Sequence, residues 1–330
     1  MNKKVLKTLE FHKIIETLTE KAGSEPGKAL CRELVPMTSL SDITLAQNQT
    51  SDALSMLCSK GSTSFGGNKD VSHSLRSLEI GSTLSASDLL KIAGLLDNVA
   101  RIKNYGRSSR EDAPETSLTA FFDGLEPLSP LAVQINRCIL SEEEIADDAS
   151  PGLKHVRRQM ALTSDRIHSQ LTSMVNGAYR SYLQDAVITM RDNRYCIPVK
   201  SEYKSQVPGM VHDQSSTGST FFIEPAAIVN LNNQLKELSL KEKEEIEAVL
   251  ADLSGQTALH VSELSENQRI MTLLDFIFAK ASLAMEQNAT MPLFNEEHFI
   301  HIRKGRHPLL PAKKVVPIDI HLGKDCGLLV

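Results

Sequence analysis

The run Pro151-Gly152-Leu153-Lys154-His155-Val156-Arg157-Arg158-Gln159-Met160 opens the stretch whose reading decides the fold. From it Leu153, Val156, Met160, Thr163, Ile167, Leu171, Met174, Ala178 and Tyr182 step by threes and fours, the period of one helix face. No proline lies between Pro151 and Pro198, nor between Pro225 and Pro292, so two very long helices are permitted. In the second, Leu231, Leu235, Leu238, Ile246, Val249, Leu253, Val261 and Leu264 repeat the stripe, interrupted by Glu242. Narrow stripes of this kind are coiled-coil seams. Arms of ~35–40 residues extend ~50–60 Å at 1.5 Å per residue. Residues 151–187 carry five basic and two acidic side chains, and residues 226–270 carry four and eight. Opposite signs predict one antiparallel pair, from Pro151 to about Ala186 and from Pro225 to about Met271. Two ordinary bundle helices are the alternative, but a bundle rarely needs helices of this length.

Between the arms the period changes to that of strands. Ile188-Thr189-Met190-Arg191, Tyr195-Cys196-Ile197-Pro198-Val199-Lys200, Met210-Val211-His212 and Thr220-Phe221-Phe222-Ile223 alternate around turns at Val207-Pro208-Gly209 and Ser215–Gly218. Upstream, three amphipathic helices are signalled. Phe11, Ile14, Ile15 and Leu18 mark one, and Ile43 to Leu57 a second. Leu89 to Ala100 is the third, capped by Ser85-Ala86-Ser87-Asp88. Loops are expected at Gly61–Lys69 and Gly106–Pro114. Downstream of Pro292, Phe299-Ile300-His301-Ile302, Val315 to Ile320 and Leu328-Leu329-Val330 read as strands.

The chain is therefore expected to be mainly α: a helical core (1–150), an ascending arm (151–187), a β-rich, clamp-like tip (188–225), a descending arm with return to the core (226–291), and the start of a further domain (292–330). The last apolar run predicts a chain cut inside or just after the first strands of that domain.

Composition narrows the function. The 330 residues are 41% apolar and 23% charged, a globular balance, and only 5% are aromatic, with no Trp. That argues against a base-stacking single-strand binder and an all-β sandwich. Thirty-six basic against 41 acidic residues give a net charge of -5, so the chain as a whole is no basic nucleic-acid glove. Five scattered cysteines without a C-x-x-C pair read as reduced thiols of a cytoplasmic protein. No apolar run approaches a membrane span.

Three stretches carry a resemblance: Arg194-Tyr195-Cys196-Ile197-Pro198-Val199-Lys200, Pro208-Gly209-Met210-Val211-His212-Asp213-Gln214-Ser215-Ser216-Thr217-Gly218, and Phe222-Ile223-Glu224-Pro225. With Asp148-Ala149-Ser150-Pro151-Gly152-Leu153, Arg157 and Gly305-Arg306-His307-Pro308-Leu309-Leu310, the chain resembles, over essentially its whole length, the MutS-two family, the second bacterial MutS-type ATPase. The resemblance implies a homodimeric parent that binds ATP and Mg and carries a small nuclease-type domain. It further implies engagement of branched DNA, in suppression of recombination, or of collided ribosomes and their rRNA, in ribosome rescue. This chain would supply the core, lever and first strands of the ATPase domain. It implies too that Val315 and Val316 are the apolar pair packing on adenine, although Ile318 stands where those proteins often have Asn. No G-x-x-x-x-G-K-[ST] occurs, so no cofactor and no catalysis are expected of this chain alone.

Phe222-Ile223-Glu224 has the form of the mismatch-reading Phe-x-Glu, but so does Phe294-Asn295-Glu296, and a tripeptide carries no weight. No mismatch-reading domain is expected. The candidate nucleic-acid site is the tip, with Arg191, Arg194, Lys200, Lys204 and His212, because residues 151–222 hold nine basic against five acidic residues. A solvated surface is the equal alternative, and a scaffold with a coiled-coil rod the competing function. The Ser215–Gly218 loop reads as a plain turn before a phosphate cradle, and His298, His301, His307 and His321 as scattered surface histidines. Glu142-Glu143-Glu144 and Glu244-Glu245 read as solvated helix faces.

Overall fold

The computed structural model describes residues 3–107, 115–311 and 313–323. Most of the Gly106–Pro114 loop, the Leu328–Val330 run and Cys326 therefore lie outside the described residues. In chain order the elements are α1 (Lys3–Thr8), α2 (Phe11–Lys21), α3 (Glu25–Glu33), α4 (Leu40–Lys60), α5 (Ser72–Glu79), α6 (Ala86–Gly106), α7 (Thr119–Asp123) and α8 (Ser129–Cys138). There follow β1 (Ile139–Ser141), β2 (Glu144–Ile145), α9 (Pro151–Asn176), β3 (Thr189–Arg191), β4 (Arg194–Lys200), β5 (Gly209–Gln214) and β6 (Thr220–Pro225). Last come α10 (Val229–Ala258), α11 (Val261–Gln287), β7 (Ile300–Gly305) and β8 (Ile318–Leu322). The fold is mainly α with small antiparallel sheets. Its residues divide into two compact units, one of residues up to Asn136 together with those from Ser254 onward, the other of Arg137–Leu253.

In the first unit α11 buries Leu264, Ile270, Met271, Leu274, Ile277 and Phe278, with α2 to α6 packed against it. A polar anchor sets its register. Buried Asp275 accepts hydrogen bonds from the backbone N–H of Gly23 (2.9 Å) and Ser24 (2.8 Å) and from the Ser24 hydroxyl. It thereby satisfies donors at the start of α3, where a helix leaves them orphaned. A Cβ on Gly27 would collide with that carboxylate, so the close approach requires glycine. The cap expected before α6 is present, Ser85 accepting from Asp88 N–H at 3.2 Å.

In the second unit α9 begins as its sequence announces. The Ser150 side chain accepts from Leu153 N–H (2.9 Å) and Pro151 occupies the first turn. Contacts between α9 and α10 run in opposite sequence order. Near the start of α9, Arg157 Nε donates to Glu242 Oε1 (2.8 Å) and Ser150 Oγ to Glu245 Oε2 (3.2 Å). Near its end, Ile167, Leu171 and Val175 share a core with Ile228, Leu231 and Leu235. A Cβ on Gly152 would strike the Glu245 carboxylate, so this glycine admits the partner helix. Arg157 also donates to the Ile145 carbonyl (2.7 Å) and Asp147 (2.5 Å), tying the β1–β2 hairpin to the pair.

Several expectations need correction. The first long helix ends at Asn176, not near residue 187, because a run of turns leads to Leu183, which bridges Val199 beside β4. Lys200 N–H donates to the Tyr182 carbonyl and Gln184 N–H to the Pro198 carbonyl, each at 2.9 Å. Ala178 and Tyr182 thus belong to turns, although their spacing continues the helical count. The second stripe is split at Leu259 and His260 into α10 and α11, where the His260 backbone (φ -120°, ψ 20°) leaves helical geometry. Glu142 and Glu143 form the turn of the β1–β2 hairpin and Glu144 lies in β2; none is on a helix. The strand expected from Val315 starts only at Ile318.

Candidate nucleic-acid interface

The tip is a four-stranded antiparallel sheet in the order β3-β4-β6-β5. Asp192 and Asn193, both with positive φ (50° and 58°), make the two-residue β3–β4 turn, a conformation these short polar residues tolerate. The Ser215–Gly218 segment is a plain turn: Gly218 N–H donates to the Ser215 carbonyl at 2.8 Å, with Gly218 at φ 72°. The sheet packs Ile197, Val199 and Ile223 into the same core as Ile167, Leu171 and Val175 of α9.

At the base of the sheet lies a buried carboxylate. Glu224 is 0% exposed. Arg194 Nη1 donates to its Oε1 at 2.7 Å, Asn232 Nδ2 to the same oxygen at 2.8 Å, and His212 Nε2 lies 2.6 Å from Oε2. Arg194 Nη2 also reaches Asn233 Oδ1 (2.6 Å). Asn232 exchanges two bonds with the Tyr195 backbone, N–H to Oδ1 and Nδ2 to the carbonyl, both at 3.2 Å. Strands β4, β5 and β6 and helix α10 are thereby locked by one satisfied polar cluster. A Cβ on Gly209 would meet the Glu224 carbonyl, so the β5 strand needs glycine there. Beside the cluster, burial, and secondarily the Glu224 charge, push the Cys196 thiol up to about 11.

Of the five tip candidates, then, Arg194 and His212 are spent on Glu224. Arg191 pairs with Asp213 (3.0 Å) and stacks 3.9 Å from the Phe222 ring centroid. Lys204 lies over Phe221 (4.4 Å) and is exposed; Lys200 lies 6.0 Å from the Tyr203 centroid. Lys200 and Lys204 have no carboxylate within ion-pair distance among the described residues. Residue by residue, segment 177–225 holds five Lys/Arg and five Asp/Glu, so the tip itself is electrically balanced. Its hub, Glu224, is the residue set aside in the Phe-x-Glu tripeptide. The signal that could have found it was its place two residues past the window that showed the basic excess.

Val315 is half-buried and Val316 is 74% exposed, in the segment before β8. His301 faces His321 across the β7–β8 ladder, but among the described residues no group of three metal-capable side chains forms. No helix among the described residues is long and apolar enough to cross a membrane.

A pair of antiparallel helices sharing one core with a four-stranded sheet, in a chain that also holds a mainly helical unit, is the class of protein these observations define. No protein-family model matches the chain. It is 53% identical over its full length to the Endonuclease MutS2 of Lachnoclostridium phytofermentans and 54% to that of Agathobacter rectalis, covering 42% of each. To the Endonuclease MutS2 of Acetivibrio thermocellus it is 43% identical, with the same coverage. The chain belongs to the MutS2 family, and it spans about two fifths of the length of these relatives.

Proposed function

We propose that this chain is the core and lever part of a dimeric MutS-type ATPase that engages nucleic acid, either branched DNA or the rRNA of collided ribosomes. The observation that carries the reading is the join between arm and tip. One apolar core is shared by α9, α10 and the sheet, and the Glu224 cluster ties three strands to α10. A sheet so fixed moves with the helices as a single body, which is what a lever needs to turn a small rotation at one end into a large displacement at the other. The relatives' name, Endonuclease MutS2, supports a nucleic-acid substrate. In this reading ATP and Mg are bound by sequence beyond this chain, which by itself hydrolyses no ATP, and two protomers close clamp-like on the substrate. Recombination suppression and ribosome rescue, in the cytoplasm, are the two processes such a clamp serves.

The test is binding of a labelled four-way DNA junction and of purified ribosomes over a salt series. Affinity falling steeply with salt is expected, as phosphate contacts release counterions. Salt-independent binding, or none to either ligand, would replace this reading by a protein-binding scaffold. ATP turnover by the purified chain would defeat the division of labour.

A further inference from the structure

The charge of α9 does little to hold it to α10. In α9, Lys154, Arg157, Arg158 and Arg166 face a single carboxylate in their own helix, Asp165. Arg157 alone among them forms an ion pair across to α10 among the described residues. The buried seam is otherwise uncharged, built on Leu153, Val156, Thr163, Ile167, Leu171 and Val175. The remaining cations point the other way. At 100° per residue, His155, Arg158, Leu162, Arg166, Ser169 and Ser173 form one stripe opposite that seam, with Lys154 beside it. All seven are exposed. None of Lys154, Arg158 or Arg166 has a carboxylate within ion-pair distance among the described residues.

We propose that this outer face of α9 is a binding stripe for the phosphate backbone of a nucleic-acid duplex. Lys154, Arg158 and Arg166 neutralise phosphates, and the hydroxyls of Ser169 and Ser173 donate to phosphate oxygens, the side-chain types that position backbones without reading sequence. From His155 to Ser173 the stripe runs about 27 Å along a straight helix, or roughly eight 3.4 Å steps of a strand. The proposal rests on the nucleic-acid reading above and places the principal contact on the helix instead of the balanced tip. Charge pattern decides for nucleic acid over a second copy of the chain. The exposed side of α10 interleaves Lys236, Lys241 and Lys243 with Glu237, Glu244, Glu247 and Asp252, so its acidic side chains are broken up by lysines and form no continuous stripe to match.

The test uses the 330-residue chain with a fluorescein-labelled 30-base-pair DNA duplex and an RNA duplex of the same sequence, read by anisotropy across a potassium chloride series. The variant Lys154→Gln/Arg158→Gln/Arg166→Gln should flatten the logarithmic salt slope on DNA by about 2.7, at about 0.9 per lost contact. The matched variant Lys236→Gln/Lys241→Gln/Lys243→Gln removes the same charge from α10 and should leave the slope within about 0.5, since it removes no phosphate contact. Arg158→Lys/Arg166→Lys keeps the charge and should keep the slope. A response on both duplexes, or on one alone, supports the stripe and names its source. An α9 variant with the wild-type slope overturns it while the nucleic-acid reading stands. So does an equal loss in the α10 variant, or a Lys variant as weak as the Gln one. Wild-type chain that binds neither duplex defeats both readings.

Discussion

Replacing Arg194 by Ala tests whether the tip is held by its buried cluster. Glu224 is fully buried, and the substitution removes its nearest permanent cation at 2.7 Å. Stripping one partner from a buried ion pair costs about 3–5 kcal/mol, because the other charge stays behind uncompensated. Two features lower that figure here. Glu224 keeps Asn232 at 2.8 Å and His212 at 2.6 Å, and the Arg194 side chain is 19% exposed, so its charge is partly hydrated already. A loss of about 2–3 kcal/mol follows, roughly a 30- to 150-fold rise in the opening equilibrium of the sheet. Native-state hydrogen exchange by mass spectrometry, on peptides covering β4 and β6, reads this directly. Lys204→Ala, on an exposed lysine of the same tip, should change exchange by less than about 0.5 kcal/mol. If Arg194→Ala exchanges within about 0.5 kcal/mol of wild type, the cluster does not hold the tip, and the rigid-body argument for a lever falls with it.

Three further expectations are open to measurement. Asp275→Ala should destabilise the first unit by about 2–3 kcal/mol in urea unfolding, since it leaves the buried Ser24 N–H and hydroxyl without their acceptor; a change under ~1 kcal/mol would contradict that anchor. Gly152→Ala, which drives a Cβ into the Glu245 carboxylate, should loosen the start of α9 by roughly 1–3 kcal/mol, and a neutral outcome would show that Glu245 swings away freely. Burial pushes both Cys31 and Cys196 thiols up to about 11, so the folded state favours the protonated form. Their stabilising contribution is complete below the unfolded value near 9 and lost as pH rises from about 9 to 11; Cys31→Ala with Cys196→Ala should flatten the fall in stability over that window.

How much of this was legible in the sequence depended on whether a residue's role shows in its own period. The α9 seam did, because a helix packed on one side leaves its buried positions three and four apart. The tip strands did, because alternation survives in a short sheet. What failed was termination. Ala178 and Tyr182 keep the helical count by coincidence, and the bonds that hold Tyr182 and Gln184 alongside β4 come from residues well further on in sequence, Lys200 18 positions after Tyr182 and Pro198 14 positions after Gln184. The break at Leu259–His260 has no proline to mark it. Glu242 looked like a flaw in the second stripe, yet it is where Arg157 lands.

A charge count over a window sums side chains that the fold sends in different directions. The basic excess of residues 151–222 pooled a balanced tip with an unbalanced helix, and its boundary stopped short of Glu224. Folding then divides those cations by burial. Arg157 and Arg194, each half-buried, are drawn to carboxylates, because a cation withdrawn from water without a partner is costly. Lys154, Arg158 and Arg166, which stay in water, need no such partner and keep their charge available to a ligand. Helical phase already carried that division. Each of the three lies well off the stripe that Leu153, Val156, Ile167 and Leu171 define, whereas Arg157 sits beside it. Phase relative to the apolar seam, applied before the charges are added, separates cations that build the fold from those left free to bind phosphate.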